Sequence, residues 1–210
     1  MEYVWYASYG SNLHHDRFLC YIEGGTPEGS EKTEIGCTDP THPVKSEKEM
    51  LPYPLYFAKQ SPRWQNEGVA FIGTKPVANT ETYSRKYLIT KEQFLEVVQQ
   101  ENNGIDVTID LNQVMENGSH TFDPSAWYGV VVYTGMFAGY PVFTFTSPEV
   151  AQSEHRPPSV PYLTMIIRGL LAMMPAEQVL DYLSTNQEVA LRYSKDDLWQ
   201  IIEQSNRHFT

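Results

Sequence analysis

Apolar and aromatic residues lead the chain. Positions 3–8, Tyr-Val-Trp-Tyr-Ala-Ser, read as a first strand that ends in Gly10-Ser11-Asn12. A helix is expected to follow from 13 to 22, with Leu13, Phe18, Leu19 and Ile22 on its apolar stripe and Gly24-Gly25 as its stop. From 26 to 52 the chain is rich in Gly, Pro, Thr, Glu and Lys with little periodicity, a long excursion of the kind that carries function or motion. Strands are then expected at 55–58, 68–73, 83–89, 107–111, 127–134 and 141–146. Between them, Thr90 and Gln93 have the spacing of a capping box, Phe94, Leu95, Val97 and Val98 supply a buried helix face, and Asn102-Asn103-Gly104 end the helix.

The pattern changes after Ser147. Ser147-Pro148-Glu149 reads as a capped helix start, and Pro157-Pro158-Ser159 leads into an apolar helix over 160–173. Pro175 opens another helix to 183, and Ser194 with Asp197 caps a last one from 195 to 205. The class is α+β: a β-barrel-like or open mixed-sheet domain over 1–147, with a helical C-terminal extension over 148–210 packed on it. Arg168 stands out inside the apolar helix, because a cation there requires a carboxylate, from protein or substrate.

Composition narrows the partners. Hydrophobic residues make up 41% of the 210 and charged ones 20%, enough for a sizeable core. A net charge of -11 without a basic stripe repels phosphate backbones and argues against nucleic acid. No stretch approaches the roughly 20 apolar residues of a membrane span, and the N-terminus lacks a basic leader and enters a strand directly. A cytoplasmic location is expected, with Cys20 a small core residue and Cys20 and Cys37 both free thiols.

Chemistry concentrates after the first strand. In Tyr9-Gly10-Ser11-Asn12-Leu13, Gly10 permits close backbone approach and Ser11 or Asn12 can cap the helix. Backbone N–H groups there make a cradle for a carboxylate or an oxyanion; the same grammar also describes an ordinary capped connection. This pentapeptide, at the end of an aromatic first strand, resembles the signature of the γ-glutamylcyclotransferase-like superfamily.

The resemblance implies a mixed β-barrel in which Tyr9, Gly10, Ser11, Asn12 and Leu13 bind the γ-glutamyl part of a small-molecule substrate. It implies cyclisation of a γ-glutamyl amine or peptide to 5-oxoproline with release of the amine, without metal or organic cofactor. The family's acid–base glutamate matches Glu101, in the stretch that runs from Tyr87 through Thr90 to Asn102. Members often carry Leu-Asp before that glutamate and Gly after it, where this chain has Val97-Val98 and Asn102. The likeness follows element order over the first two thirds and does not extend to the helices of 160–210. One carboxyl group can accept a proton from an α-ammonium and return it to a leaving amine if its pKa is raised. Burial beside Phe94, Val97 and Val98 would raise it.

Other chemistries fit less well. Gly10-Ser11-Asn12 lacks the Gly-x-Ser-x-Gly elbow of a serine hydrolase. His14 and His15 point about 100° apart on a helix, and His42, His120, His155 and His208 are scattered without metal-ligand spacing. The 140–146 stretch alternates as a core strand does, and either Tyr140 or Tyr162 is a candidate to bring a phenol to the pocket. A second reading is a non-catalytic binding or scaffold protein that retains the fold.

Overall fold

The computed structural model describes residues 2–28, 32–148 and 150–206. Glu149, expected to complete a helix start, and His208 lie outside them; the next regular turn is a 3₁₀ segment at Gln152–Glu154. The strands are β1 (Tyr3–Ser8), β2 (Lys45–Leu51), β3 (Leu55–Ser61), β4 (Glu67–Ile72), β5 (Thr82–Thr90), β6 (Ser119–Thr121), β7 (Val130–Phe137) and β8 (Tyr140–Thr146). Six of them form one mixed sheet in the order β2-β5-β1-β8-β7-β6. The β1–β8 pairing is parallel, at Trp5↔Val142 and Tyr6↔Phe143; the other ladders are antiparallel.

Side-chain alternation along β1 divides the core into two layers. Val4 and Tyr6 face an apolar cluster with Tyr87, Ile89, Phe143 and Phe145. That layer is closed by α1 (His15–Glu23), α2 (Lys91–Glu101) and α3 (Leu111–Asn117), through Phe18, Ile22, Phe94, Val98 and Val114. Trp5 and Ala7 face the opposite layer, shared with β3 and β4 and with α4 (Val160–Leu171), α5 (Ala176–Ser184), α6 (Gln187–Ala190) and α7 (Lys195–Asn206). The capping box at Thr90 and Gln93 forms in both directions and starts α2.

The expected barrel is not closed by backbone ladders. β3 and β4 stand as a separate two-stranded sheet, and the six-stranded sheet is open. A side chain bridges the two: Thr146 Oγ1 donates to Ile72 O at 2.7 Å and accepts from Ile72 N at 3.1 Å. A hydroxyl there takes the place of a backbone partner, so β4 and β8 are joined at this point without a shared ladder.

Two elements differ from the sequence reading. β2 lies inside the stretch read as irregular; it is a charged edge strand, exposed at Lys45, Ser46, Glu47 and Lys48, and held by backbone pairing to β5. Such edges carry charge to block further pairing, so periodicity is weak there. The strand expected at 107–111 is absent. Asp110 instead accepts from Asn112 N and caps α3, with Leu111 and Val114 buried at helical spacing.

Helix α4 sits directly behind the 3₁₀ turn Ser11–Leu13. Gly169 makes that approach possible, since a Cβ there would come within 2.6 Å of His14 N and closer still to Leu13.

Candidate active site

The turn after β1 is built differently from a simple helix cap. The Tyr9 hydroxyl donates to Phe145 O at 2.7 Å, which anchors the strand end. Leu13 N donates to Gly10 O at 3.0 Å and His14 N to Ser11 O at 3.1 Å, so residues 11–13 form a 3₁₀ turn rather than the start of α1. Neither Ser11 nor Asn12 caps α1; the His14 ring nitrogen does, accepting from Arg17 N at 3.3 Å. Gly10 has a φ of -107° that any residue adopts. Its small size matters instead, because a Cβ at that position would lie 3.0 Å from the Tyr162 hydroxyl.

Beside this turn lies a cavity of about 400 Å³. It opens where the two core layers meet at the end of β1, with α1 and α2 on one side and β4 and α4 on the other. Tyr9, Gly10, Ser11, Asn12 and Glu101 all line it. Leu13 does not. Its amide is taken up by Gly10 O and its side chain is buried beneath α4, away from the cavity lining.

Glu101 reaches the cavity from the last turn of α2. Asn12 Nδ2 donates to Glu101 Oε1 at 3.0 Å, and Asn12 is itself held by the Tyr87 hydroxyl, which donates to Asn12 O at 2.8 Å. Burial pushes the Glu101 carboxyl above its ordinary value; Arg17 opposes this, Glu34 adds to it, and Arg63 and a hydrogen bond from Tyr21 oppose it. The direction is the one expected from its place beside Phe94, Val97 and Val98, all buried on α2. Asn102, the departure next to Glu101, has a structural role. Its Oδ1 accepts from Tyr128 N at 3.0 Å while its Nδ2 donates to Tyr128 O at 3.2 Å, which fixes Tyr128 in the cavity wall.

Several lining residues escaped the sequence reading. Arg17 and Tyr21 share the buried face of α1 with Phe18 and Ile22, whereas Leu19 and Cys20 are only partly buried. The 17/18/21/22 spacing carried the signal, masked by the charge of Arg17. Glu34, from the long excursion, is buried and pairs with two lining residues, Arg63 and Lys32, without lining the cavity itself. Of the two candidate phenols, Tyr162 lines the cavity, while Tyr140 lies at the exposed end of β8. Tyr162 Oη accepts from Ala70 N at 3.1 Å and from the Ser11 amide, while burial raises its pKa to about 12. Arg168 finds its carboxylate in the protein, with Nη1 donating to Glu28 Oε2 at 2.9 Å. Cys20 and Cys37 are free thiols. Among the described residues, no group of three or more His, Cys, Asp and Glu could hold a metal ion, and no helix is long and apolar enough to cross a membrane.

No family model matches the chain. A curated protein named histone deacetylase 5, from Arabidopsis thaliana, is 38% identical over 187 residues, covering 80% of this chain. The chain spans only 28% of that protein's length. Among solved structures, a γ-glutamyl cyclotransferase superposes with a TM-score of 0.51 at 15% identity, covering 97% of this chain and 99% of that one. The likeness of fold therefore takes in the C-terminal helices α4–α7 as well. Over nearly its whole length, the chain has the fold of that solved γ-glutamyl cyclotransferase.

Proposed function

We propose that this protein cyclises a γ-glutamyl amine or peptide, releasing 5-oxoproline and the free amine. The observation that supports the reading is the meeting of Glu101 with the 9–12 turn in one cavity, joined by the 3.0 Å Asn12–Glu101 hydrogen bond. In the proposed reaction Glu101 removes a proton from the substrate's α-ammonium. The amine nitrogen then attacks the γ-carbonyl carbon, and a new C–N bond closes a five-membered lactam. The bond from that carbon to the leaving nitrogen breaks as Glu101 returns the proton. A raised carboxyl pKa suits both transfers.

Negative charge develops on the former carbonyl oxygen. Tyr162 Oη already accepts from Ala70 N, so its own proton is available to that oxygen. The Gly10 and Asn12 amides are the further donors the turn would offer, since those of Leu13 and His14 are engaged within it.

The test is 5-oxoproline release from γ-glutamyl amino acids, glutathione and γ-glutamyl amines, with Glu101→Gln measured alongside. Release by the wild type and a loss of about 10²-fold or more in the variant is expected. A variant as active as wild type removes Glu101 from the mechanism, and absence of release from every substrate overturns the reading.

A further inference from the structure

Arg17 is a buried cation whose guanidinium makes no hydrogen bond or ion pair among the described residues, and it acts on Glu101 only through its field. Its residue is 3% exposed, and Nε and Nη1 have no hydrogen-bond partner among the described residues. Its guanidinium carbon lies 5.2 Å from the Trp64 ring centre and 5.9 Å from that of Tyr21. The aromatic rings cover the group but satisfy none of its N–H donors. An unpaired buried cation is strongly unfavourable, and leucine or glutamine at this position would avoid that cost. The other cavity arginine differs, since Arg63 is paired with Glu34. Asn12 Oδ1, in the same cavity wall, is also buried without a partner. Unsatisfied donors on a cation and an unsatisfied amide acceptor together complement a carboxylate with an N–H on the adjacent carbon.

We propose that Arg17 binds the α-carboxylate of the ligand, and so restricts the site to γ-glutamyl compounds, and products, whose α-carboxyl group is free. This rests on the proposed function for the identity of the ligand. Planar guanidinium meets a planar carboxylate through two parallel hydrogen bonds, which a neutral amide cannot reproduce. Binding there also has an effect on Glu101. Arg17 holds that carboxyl down while it is itself unneutralised. A bound carboxylate offsets this field, so Glu101 becomes the stronger base when substrate is in place.

The experiment uses 5-oxoproline and its neutral analogue 5-oxoprolinamide, titrated into the full chain with tryptophan fluorescence as readout, since Trp64 and Trp127 both line the cavity. Wild type is expected to favour the acid by about tenfold or more, the scale of a hydrogen bond to a charged group. Arg17→Gln should bind the two equally, and Arg17→Lys should keep part of the preference. Equal binding of acid and amide by wild type overturns the proposal whether or not the variants fold, as does binding of neither. A preference that survives in Arg17→Gln overturns it too. Turnover is scored separately: 5-oxoproline release without a carboxylate preference rejects Arg17 and leaves the proposed reaction standing. A carboxylate preference without release from any γ-glutamyl substrate rejects the reaction and leaves Arg17 as a carboxylate site.

Discussion

Asn12 and Glu101 are 89 positions apart in the chain, yet the Asn12 amide donates to the Glu101 carboxylate at 3.0 Å. That contact needs a 3₁₀ turn that leaves Asn12 free of capping and a helix whose last turn ends at Glu101.

The Glu101→Gln variant should be more stable than wild type near neutral pH. The folded-state pKa of Glu101 is raised above its unfolded value, chiefly by burial. Stability linked to this group is therefore fully present below the unfolded pKa and is lost as pH rises through the folded one. Glutamine carries no such loss. Thermal midpoints measured from acid to neutral pH should converge at the acid end and separate as pH rises from the unfolded to the folded pKa, with the variant higher beyond it. A variant that melts lower throughout would show that the ionised carboxylate is stabilising.

Replacement of Asn12 by leucine removes a donor to the ionised form of Glu101. Its pKa should rise further, and the acid limb of the pH–activity profile should move to higher pH. An unmoved limb would mean that Asn12 does not control the proton on Glu101.

Tyr162→Phe removes the proposed oxyanion donor and the acceptor of Ala70 N–H. Turnover should fall by about 10²-fold, as expected for one preorganised donor, with a stability loss of roughly 1–3 kcal/mol from the unpaired amide. The comparison that decides is kcat against thermal midpoint. A stability loss with kcat intact would make the phenol a structural group only.

Gly169→Ala should destabilise the protein by about 1–3 kcal/mol, because the new methyl meets the backbone of the 11–14 turn. Denaturant unfolding checks this. Unchanged stability would show that α4 can retreat from the turn.

Much of this was legible in the chain. Strand alternation, the Thr90 capping box and the α2 apolar face placed β1 and α2, because these are local signals, whereas the choice of Glu101 and its pairing with the 9–13 turn came from the family resemblance. Arg17 was not legible, since a cation on a buried helix face looks like a solvated one until its surroundings are known. Glu34 was hidden for a different reason: it comes from a segment without periodicity and is buried against Arg63, a lining residue far along the chain. β2 escaped because an edge strand is held by backbone pairing, which leaves little trace in side-chain type.

The contact between Gly169 and Leu13 couples two parts of the chain that differ in every other respect. One belongs to the short motif beside the candidate chemistry, the other to an apolar helix near the C-terminal end. Neither can be enlarged alone. Any lineage of this chain that gains bulk at 169 must shift the turn that carries Asn12, because two of the three nearest atoms are backbone at 13 and 14 and no smaller side chain at 13 removes them. A fragment that ended before α4 would retain the whole pentapeptide and lose the surface against which it is shaped.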